Sequence, residues 1–197
     1  MIEKGKEEAV GKFRKTYVAF AAVSDRCFFA LFKFAAKIIF RKKRRILIVD
    51  IDNTIAHTWP SHTYKYDSYS QKYSSIAVLW KVFQQVREYQ KKKDCIIFLS
   101  ARAFYLYFIT RTWLQSSGMK VDLLQLFLVT SARKKINFLR YASKIGLEVT
   151  YLDDLSGNHE SGEVCLYSDI IDEVRCIKGV KYLGYDFINS LTCKAPD

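Results

Sequence analysis

The stretch "RRILIVDIDNTIAHT", residues 44–58, places two aspartates directly after a run of apolar residues. A short, continuous apolar run is typical of a parallel-sheet strand buried on both faces, so residues 46–50 predict a strand. Because a strand alternates its faces, Asp50, Asp52 and Thr54 point the same way. Two carboxylates this close repel each other unless a positive charge lies between them. The stretch therefore predicts either a site for a divalent cation and a phosphate, or a plain turn with Thr54 as a helix cap.

Strand and helix patterns alternate along the rest of the chain. Amphipathic helices are predicted at 76–91, 102–116 and 133–145, and strands at 95–100, 124–130 and 148–154, with two short strands and two short helices to follow. Residues 55–75 show no clear period and are predicted as a loop or small flap. The alternation predicts an α/β fold, with a Rossmann-like, open, mostly parallel sheet and helices on both faces.

Polar residues lie directly after the predicted strands, or at the start of the helix that follows a strand. The carboxyl ends of parallel strands meet at one edge of a sheet, so we expect these side chains to lie close together. Each alone has an ordinary explanation as a cap, a turn or a solvated charge. Their occurrence together, in this order, indicates one site. The residues are Asp50, Asp52, Ser100, Arg102, Lys134, Lys135, Asp153 and Asp154.

On these motifs the sequence resembles the haloacid-dehalogenase superfamily of phosphohydrolases and phosphotransferases. "IVDIDNT" matches its first motif, hhhDxDxT, and "IIFLS" matches its second, hhhhS/T. A helix-opening lysine of "RKK" provides the third motif and "VTYLDD" the fourth. The resemblance covers roughly residues 45–190, and the four motifs stand in family order.

The resemblance implies a magnesium-dependent phosphatase. Asp50 is expected to attack phosphorus and form an aspartyl-phosphate. Mg²⁺ is expected on Asp50, the backbone carbonyl of Asp52, and one or both of Asp153 and Asp154. Asp52 is expected to protonate the leaving oxygen and then to activate water.

Three further residues are expected to bind phosphate. Ser100 and a lysine would contact the phosphoryl oxygens, and Arg102 would bind a second anionic group or pair with an acid. Lys135 is preferred over Lys134 because Leu139 then completes the K-xxx-L pattern of the family. Asn158 and His159 are further candidates, although polar loop residues are common without a role.

Members of this superfamily often carry a cap domain, inserted after the first motif or between the second and third motifs. Neither position has room for such a domain in this sequence. About 20 residues separate the first motif from its helix, and one helix and one strand fill Arg102 to Thr130. We therefore expect an open site for a large or a lipid- or saccharide-linked phosphomonoester. The stretch "SARAFYLYFITRTWLQSSG" also resembles cap-less polynucleotide 3′-phosphatases, which gives one alternative. A non-catalytic, membrane-associated protein with the same fold is the other.

The N-terminal segment carries most of the positive charge. Of the net charge of +12, residues 1–45 contribute +9 (13 Lys and Arg against 4 Asp and Glu), and residues 46–197 contribute +3 (19 against 16). Charges interrupt the apolar run of 17–45 well before the roughly 20 residues of a membrane span. We predict two domains, a basic amphipathic helical arm over 1–44 and a phosphatase domain over 45–197.

The arm has two interpretations. A basic, aromatic-rich amphipathic helix binds an anionic membrane surface, here through residues 1–45. Alternatively, the helix packs on the catalytic domain with its lysines in water. We adopt the first interpretation as the expectation. Nucleic acid is a less favoured partner, because the charges of the arm alternate with bulky apolar groups.

The cysteines suggest a reducing compartment. The chain has five cysteines, an odd number, and they show no CxxC or other metal-binding spacing. This pattern is typical of free thiols. The expected location is therefore cytoplasmic, peripheral at the inner face of the membrane. The cysteines are Cys27, Cys95, Cys165, Cys176 and Cys193.

Overall fold

The computed structural model describes residues 2–40, 44–92, 95–157, 159 and 163–192, with the backbone alone for 2–15, 17 and 62. Its helices are α1 (Ile2–Ile38), α2 (Tyr69–Ser74), α3 (Trp80–Lys91), α4 (Tyr107–Ser116), α5 (Ala132–Lys144), α6 (Ser168–Arg175) and α7 (Tyr185–Thr192). Its strands are β1 (Arg45–Val49), β2 (Cys95–Ser100), β3 (Leu126–Leu128), β4 (Glu148–Leu152), β5 (Ser156–Gly157), β6 (Cys165–Leu166) and β7 (Val180–Leu183).

The larger sheet is parallel and has the strand order β3-β2-β1-β4-β7. β5 and β6 form a small antiparallel pair beside it. Residues 46–49 of the central strand β1 are at most 2% exposed, as their continuous apolar run predicts. The predicted Rossmann-like α/β fold is confirmed.

Helices cover both faces of this sheet, and side-chain alternation assigns them. Ile46 and Ile48 of β1 join the apolar cluster under α1, α5 and α6. Leu47 and Val49 join the cluster under α3, α4 and α7. A strand with both sides buried needs apolar residues on both, which explains why β1 shows no polar alternation.

The strand register brings the predicted site residues to one edge. Val49 of β1 pairs with Phe98 of β2 and with Leu152 of β4. Asp50 and Asp153, one residue beyond that register, therefore follow neighbouring strands. The backbone N–H of Asp50 donates to the carbonyl of Leu152 at 2.8 Å, which extends the pairing to the start of the site.

One face of α1 is part of the core. Phe32 is fully buried, and its ring centroid lies 5.4 Å from that of Phe127 and 4.9 Å from that of Phe138. Asp25 accepts hydrogen bonds from the backbone N–H (2.9 Å) and the hydroxyl (2.6 Å) of Thr130. The predicted N-terminal helix is present, and these contacts fit the interpretation that it packs on the domain. Residues 1 and 41–43 of the predicted arm lie outside the described residues.

The opposite face of α1 is exposed, although it is apolar. Phe20, Phe34 and Ile38 are each more than half exposed. Within the described part of the chain, no helix has the length and apolar character that crossing a membrane requires.

Several predicted elements are shorter than expected. The helix predicted at 76–91 begins only at Trp80, because Leu79 has a non-helical ψ of 85°, and the strand predicted at 148–154 ends at Leu152. The helix predicted at 102–116 begins only at Tyr107, because Ala103 is extended (φ −61°, ψ 139°) and a 3-10 turn precedes the helix. The strand predicted at 124–130 is confined to Leu126–Leu128, since a 3-10 turn after Asp122 occupies the residues before it. The predicted flap at 55–75 contains a 3-10 turn and the short helix α2, which packs against α4.

Candidate functional site

Three buried carboxylates meet at the carboxyl edge of the sheet. Asp50 follows β1, and Asp153 and Asp154 follow the neighbouring strand β4. Each offers a carboxylate oxygen, and these oxygens lie within 4.8 Å of one another. None of the three residues is more than 5% exposed. The structure thus brings together aspartates that are about 100 residues apart in the sequence.

Lys135 lies between two of these carboxylates. It sits in the first turn of α5, and its Nζ is 2.8 Å from Asp50 Oδ1 and 2.7 Å from Asp153 Oδ2. Burial alone would lower the pKa of Lys135, but the two carboxylates outweigh burial and raise it above its usual value. Lys134, the alternative in the sequence, is exposed. The two lysines are one residue apart, so the helix turns only one of them into the site.

The cluster has more negative than positive charge. Three carboxylates against one ammonium leave a formal charge of −2 in a buried place. Burial raises the pKa of Asp50 well above its usual range, and the neighbouring carboxylates add to this rise, while Lys135 opposes it. Asp50 Oδ1 accepts no hydrogen bond from the described residues despite its burial, since the nearby ammonium is poorly aligned. A divalent cation would neutralise the cluster and supply the missing partner, so the residues fit Mg²⁺, which prefers oxygen ligands.

Asp153 is held in place by its own neighbours in the chain. Its Oδ1 accepts a hydrogen bond of 2.8 Å from the backbone N–H of Leu155, which has a left-handed φ of 43°. Its Oδ2 accepts from the hydroxyl of Tyr151 and from Lys135. Burial raises the pKa of Asp153, although Lys135 opposes this. A left-handed leucine is strained, and here it closes the turn that fixes this carboxylate.

Asp154 is fixed by Thr54 across the sheet edge. The Thr54 hydroxyl donates to Asp154 Oδ1 (3.0 Å) and accepts from the Asp154 backbone N–H (3.1 Å). The hydroxyl of Ser156 donates to Asp154 Oδ2, and His159 Nε2 lies 3.3 Å from that oxygen. Thr54 therefore does more than cap a turn. Hydrogen bonds of this kind orient a ligating carboxylate.

Asp52 lies outside the cluster of three carboxylates, and Arg102 balances its charge. Arg102 donates to both of its oxygens, from Nε and from one terminal nitrogen, each at 2.7 Å. The hydroxyls of Ser100 (3.1 Å) and Thr58 (2.7 Å) also donate to this carboxylate. Burial would raise the pKa of Asp52, but Arg102 and the hydroxyls lower it to about 2. The Asp52 side chain remains 28% exposed toward the site.

Arg102 is placed differently from the expected phosphate ligand. Its remaining terminal nitrogen donates to the Thr110 hydroxyl (3.1 Å), and its guanidinium lies 4.8 Å from the ring centroid of Tyr73. Only 4% of Arg102 is exposed. A buried guanidinium needs a carboxylate and further acceptors, and Asp52 is the carboxylate within reach. The second option of the sequence prediction, pairing with an acid, describes this geometry.

The sequence analysis did not single out several residues that lie at the site. They are Thr58, Tyr73, Thr110, Tyr151 and Ser156, each of which contacts one of the aspartates or Arg102. For Tyr151 and Ser156 a signal existed, because each lies two residues from an aspartate of the fourth motif. His159 reaches Asp154, whereas Asn158 lies outside the described residues.

Two neighbouring cavities open at this edge. One, of about 390 Å³, is lined by Asp50, Asp52, Lys135 and both aspartates of the fourth motif. The other, of about 710 Å³, adjoins it at Asn53 and is lined by His57, Trp59, Leu79, His159, Val164, Tyr185, Ile188, Asn189 and Thr192. Burial and the charge of His159 lower the pKa of His57, which favours its neutral form at neutral pH.

No protein-family model matches the chain, and no curated protein or solved structure matches it either.

Proposed function

We propose that this chain is a Mg²⁺-dependent phosphomonoester hydrolase of the haloacid-dehalogenase type, acting through an aspartyl-phosphate on Asp50. The observation that supports this most is the buried cluster of Asp50, Asp153 and Asp154 around the single cation of Lys135, with an excess charge of −2. Burying that charge is unfavourable unless a divalent cation neutralises it and the cluster serves a function. The four motifs of the sequence, which include these same residues, also support this assignment.

In this proposal, Asp50, Asp153, Asp154 and the backbone carbonyl of Asp52 hold Mg²⁺. When bound, the cation neutralises phosphate charge, so that a carboxylate can approach phosphorus. Thr54 keeps Asp154 oriented toward the cluster. The short chain path between β1 and α3 leaves the site without a cap domain.

Asp50 performs the first half of the reaction. One of its oxygens attacks phosphorus, the bond from phosphorus to the leaving oxygen breaks, and an aspartyl-phosphate results. Lys135, at 2.8 Å from Asp50, offers its ammonium protons to the phosphoryl oxygens as charge develops on them. Water in the open site supplies the proton of the leaving oxygen, and Asp52 returns to solvent, at the end of the cycle, the proton that it accepts in the second half.

Asp52 and Arg102 act mainly in the second half. Water attacks phosphorus, the bond to Asp50 breaks, and Asp52 accepts the proton of the water. A pKa of about 2 keeps Asp52 ionised and ready for this role. The acid role that the resemblance implies requires Asp52 to release Arg102 first. Arg102 and Ser100 are positioning residues, because both contact Asp52.

The larger cavity favours an uncharged group on the substrate. Its described lining residues include no Lys, Arg, Asp or Glu, and they combine Trp59 and Tyr185 with amides and imidazoles. Aromatic faces and neutral hydrogen-bonding groups suit a polar, uncharged group such as a saccharide. A polynucleotide would bring further phosphates, and the described lining residues offer no Lys or Arg to bind them.

The direct test is phosphate release from a panel of sugar, lipid, nucleotide and peptide phosphomonoesters with MgCl₂. We expect hydrolysis that EDTA abolishes and that Asp50→Asn removes. Asp172→Asn, a change of the same type at a residue whose side chain is 76% exposed, serves as the matched control and should leave the rate unchanged. Full activity of the Asp50→Asn variant would refute the proposal.

The same assay, extended to 3′-phosphorylated oligonucleotides and combined with vesicle binding, separates the two alternatives. A polynucleotide 3′-phosphatase releases phosphate from 3′-phosphorylated oligonucleotides, and its rate falls steeply as salt is added. A non-catalytic protein of this fold binds vesicles but hydrolyses none of the phosphomonoesters.

A further inference from the structure

The outward face of α1 carries a continuous apolar stripe, called here the α1 stripe. Its members follow at steps of three, four, four, three and four residues, which places them on one side of a helix over about 27 Å. Most are near or above half exposed, including Phe20 at 62% and Phe34 at 57%. The α1 stripe consists of Phe20, Val23, Cys27, Leu31, Phe34 and Ile38.

The fold itself does not explain the α1 stripe. The residues that attach α1 to the sheet, such as Phe32, Ala35 and Ala36, lie on a different face and are fully buried. Single exposed apolar residues are common on proteins, but a contiguous apolar surface of this length marks an interaction site.

Positive charges run beside the α1 stripe. Arg26 and Lys37 are exposed on the flank next to it, and Lys33 lies in the same row, with its Nζ 5.1 Å from the Phe29 ring centroid. The sequence of residues 1–45 has a net charge of +9. Two copies of this surface would repel each other, whereas an anionic lipid surface attracts the cations and accepts the apolar groups.

We propose that the α1 stripe lies in the boundary between head groups and acyl chains of an anionic bilayer, with Arg26 and Lys37 at the lipid phosphates. The helix lies along the surface, since no described helix is suited to cross a membrane. This refines the expectation from the sequence, because only one face of the helix meets lipid and the other belongs to the core. The proposal is independent of the proposed chemistry.

The direction of α1 places the bilayer near the site edge. Asp25 contacts Thr130 just beyond the end of β3, at the carboxyl edge of the sheet, and the helix then runs back toward the start of β1. Phe20 and Val23 of the α1 stripe precede Asp25 by five and two residues in the same helix, so the stripe begins close to that edge. A bilayer along the α1 stripe therefore passes beside the edge that carries Asp50 and Lys135.

The test is co-sedimentation of the full chain with vesicles of phosphatidylcholine alone or mixed with phosphatidylglycerol. We expect binding to the anionic vesicles, lost by at least about tenfold in the triple variant Phe20→Gln, Phe34→Gln, Ile38→Gln. Trp80→Gln is the matched control, because Trp80 is 53% exposed on α3, at the opposite face of the sheet. Urea unfolding of the triple variant should match that of the wild type, since its three residues are exposed.

The charge requirement has its own variant. Arg26→Gln with Lys37→Gln should weaken binding to anionic vesicles by about fivefold per cation and leave the fold intact. Equal binding to neutral and anionic vesicles would overturn the proposal, as would unchanged binding by the triple variant. A wild-type dimer that the triple variant converts to a monomer, without vesicle binding by either, would show that a second copy covers the α1 stripe.

Discussion

Two identical substitutions, two residues apart, should change stability in opposite directions. Asp50→Asn removes a charge from a buried cluster that has too many carboxylates. Asp52→Asn removes the carboxylate that, among the described residues, is hydrogen-bonded to the guanidinium of Arg102. Both exchanges keep side-chain size, so the difference between them reports electrostatics and not packing.

The size of the effect follows from the distances. At an effective dielectric constant near 20, two carboxylates within 4.8 Å repel by at least about 3 kcal/mol, so Asp50 is repelled by Asp153 and Asp154 by about 7 kcal/mol together. Its attraction to Lys135 at 2.8 Å returns about 6 kcal/mol. The small remaining repulsion adds to the cost of burying a charge, so Asp50→Asn should stabilise the metal-free protein by about 1–3 kcal/mol. Asp52→Asn should destabilise it by about 3–5 kcal/mol, the usual cost of leaving a buried charge unpaired.

Urea unfolding followed by circular dichroism measures both changes, first in EDTA and then in MgCl₂. The wild type should gain about 4 kcal/mol when Mg²⁺ is about a thousandfold above its Kd. Asp50→Asn should gain far less, because it lacks one ligand. In excess Mg²⁺ the stability order of wild type and Asp50→Asn should therefore reverse.

The reasoning fails if Asp50→Asn is destabilised in EDTA to the same extent as Asp52→Asn. That result would mean that Lys135 alone balances the cluster. It also fails if Mg²⁺ stabilises the wild type and Asp50→Asn equally, since the cation would then bind elsewhere.

Three further predictions follow from the contacts. Phe32→Ala should lower the free energy of unfolding by about 3–5 kcal/mol, whereas Phe34→Ala, on the exposed face of the same helix, should change it by less than about 0.5 kcal/mol in urea titrations. Thr54→Val should weaken Mg²⁺ binding by about tenfold in calorimetric titration, because Asp154 loses a donor that orients it. Arg102→Lys should cost about 1.5–3 kcal/mol in urea unfolding for each charge-assisted hydrogen bond that a single ammonium cannot replace; a neutral effect would show that the guanidinium fork is dispensable.

The sequence alone determined the sheet and the edge on which the site lies. Two local patterns were enough for this: the apolar run before Asp50 and the pairs of aspartates. Such patterns show which residues follow the end of a buried strand. Because parallel strands carry their ligands at the carboxyl edge of the sheet, these patterns are enough to predict that Asp50 lies near Asp153. The choice of Lys135 over Lys134 rested on the K-xxx-L pattern of the family that the sequence resembles, and the geometry places Lys135 in the cluster.

Only the tertiary structure decided the partners of each polar group. Thr54 and Asp154 lie 100 residues apart, and Arg102 and Asp52 lie 50 apart, so no local period links them. Arg102 could have faced a substrate phosphate, but its burial beside Asp52 made pairing with that carboxylate the favourable arrangement.

The sequence alone also could not tell which face of α1 is buried. The helical period places Phe32 and Phe34 on different sides, yet both are phenylalanines in one apolar stretch. Their hydrophobicity is equal, and only the position of the sheet makes one of them core and leaves the other on the surface. Burial depends on which surface packs against the helix, and that surface comes largely from β3 and α5, far along the chain.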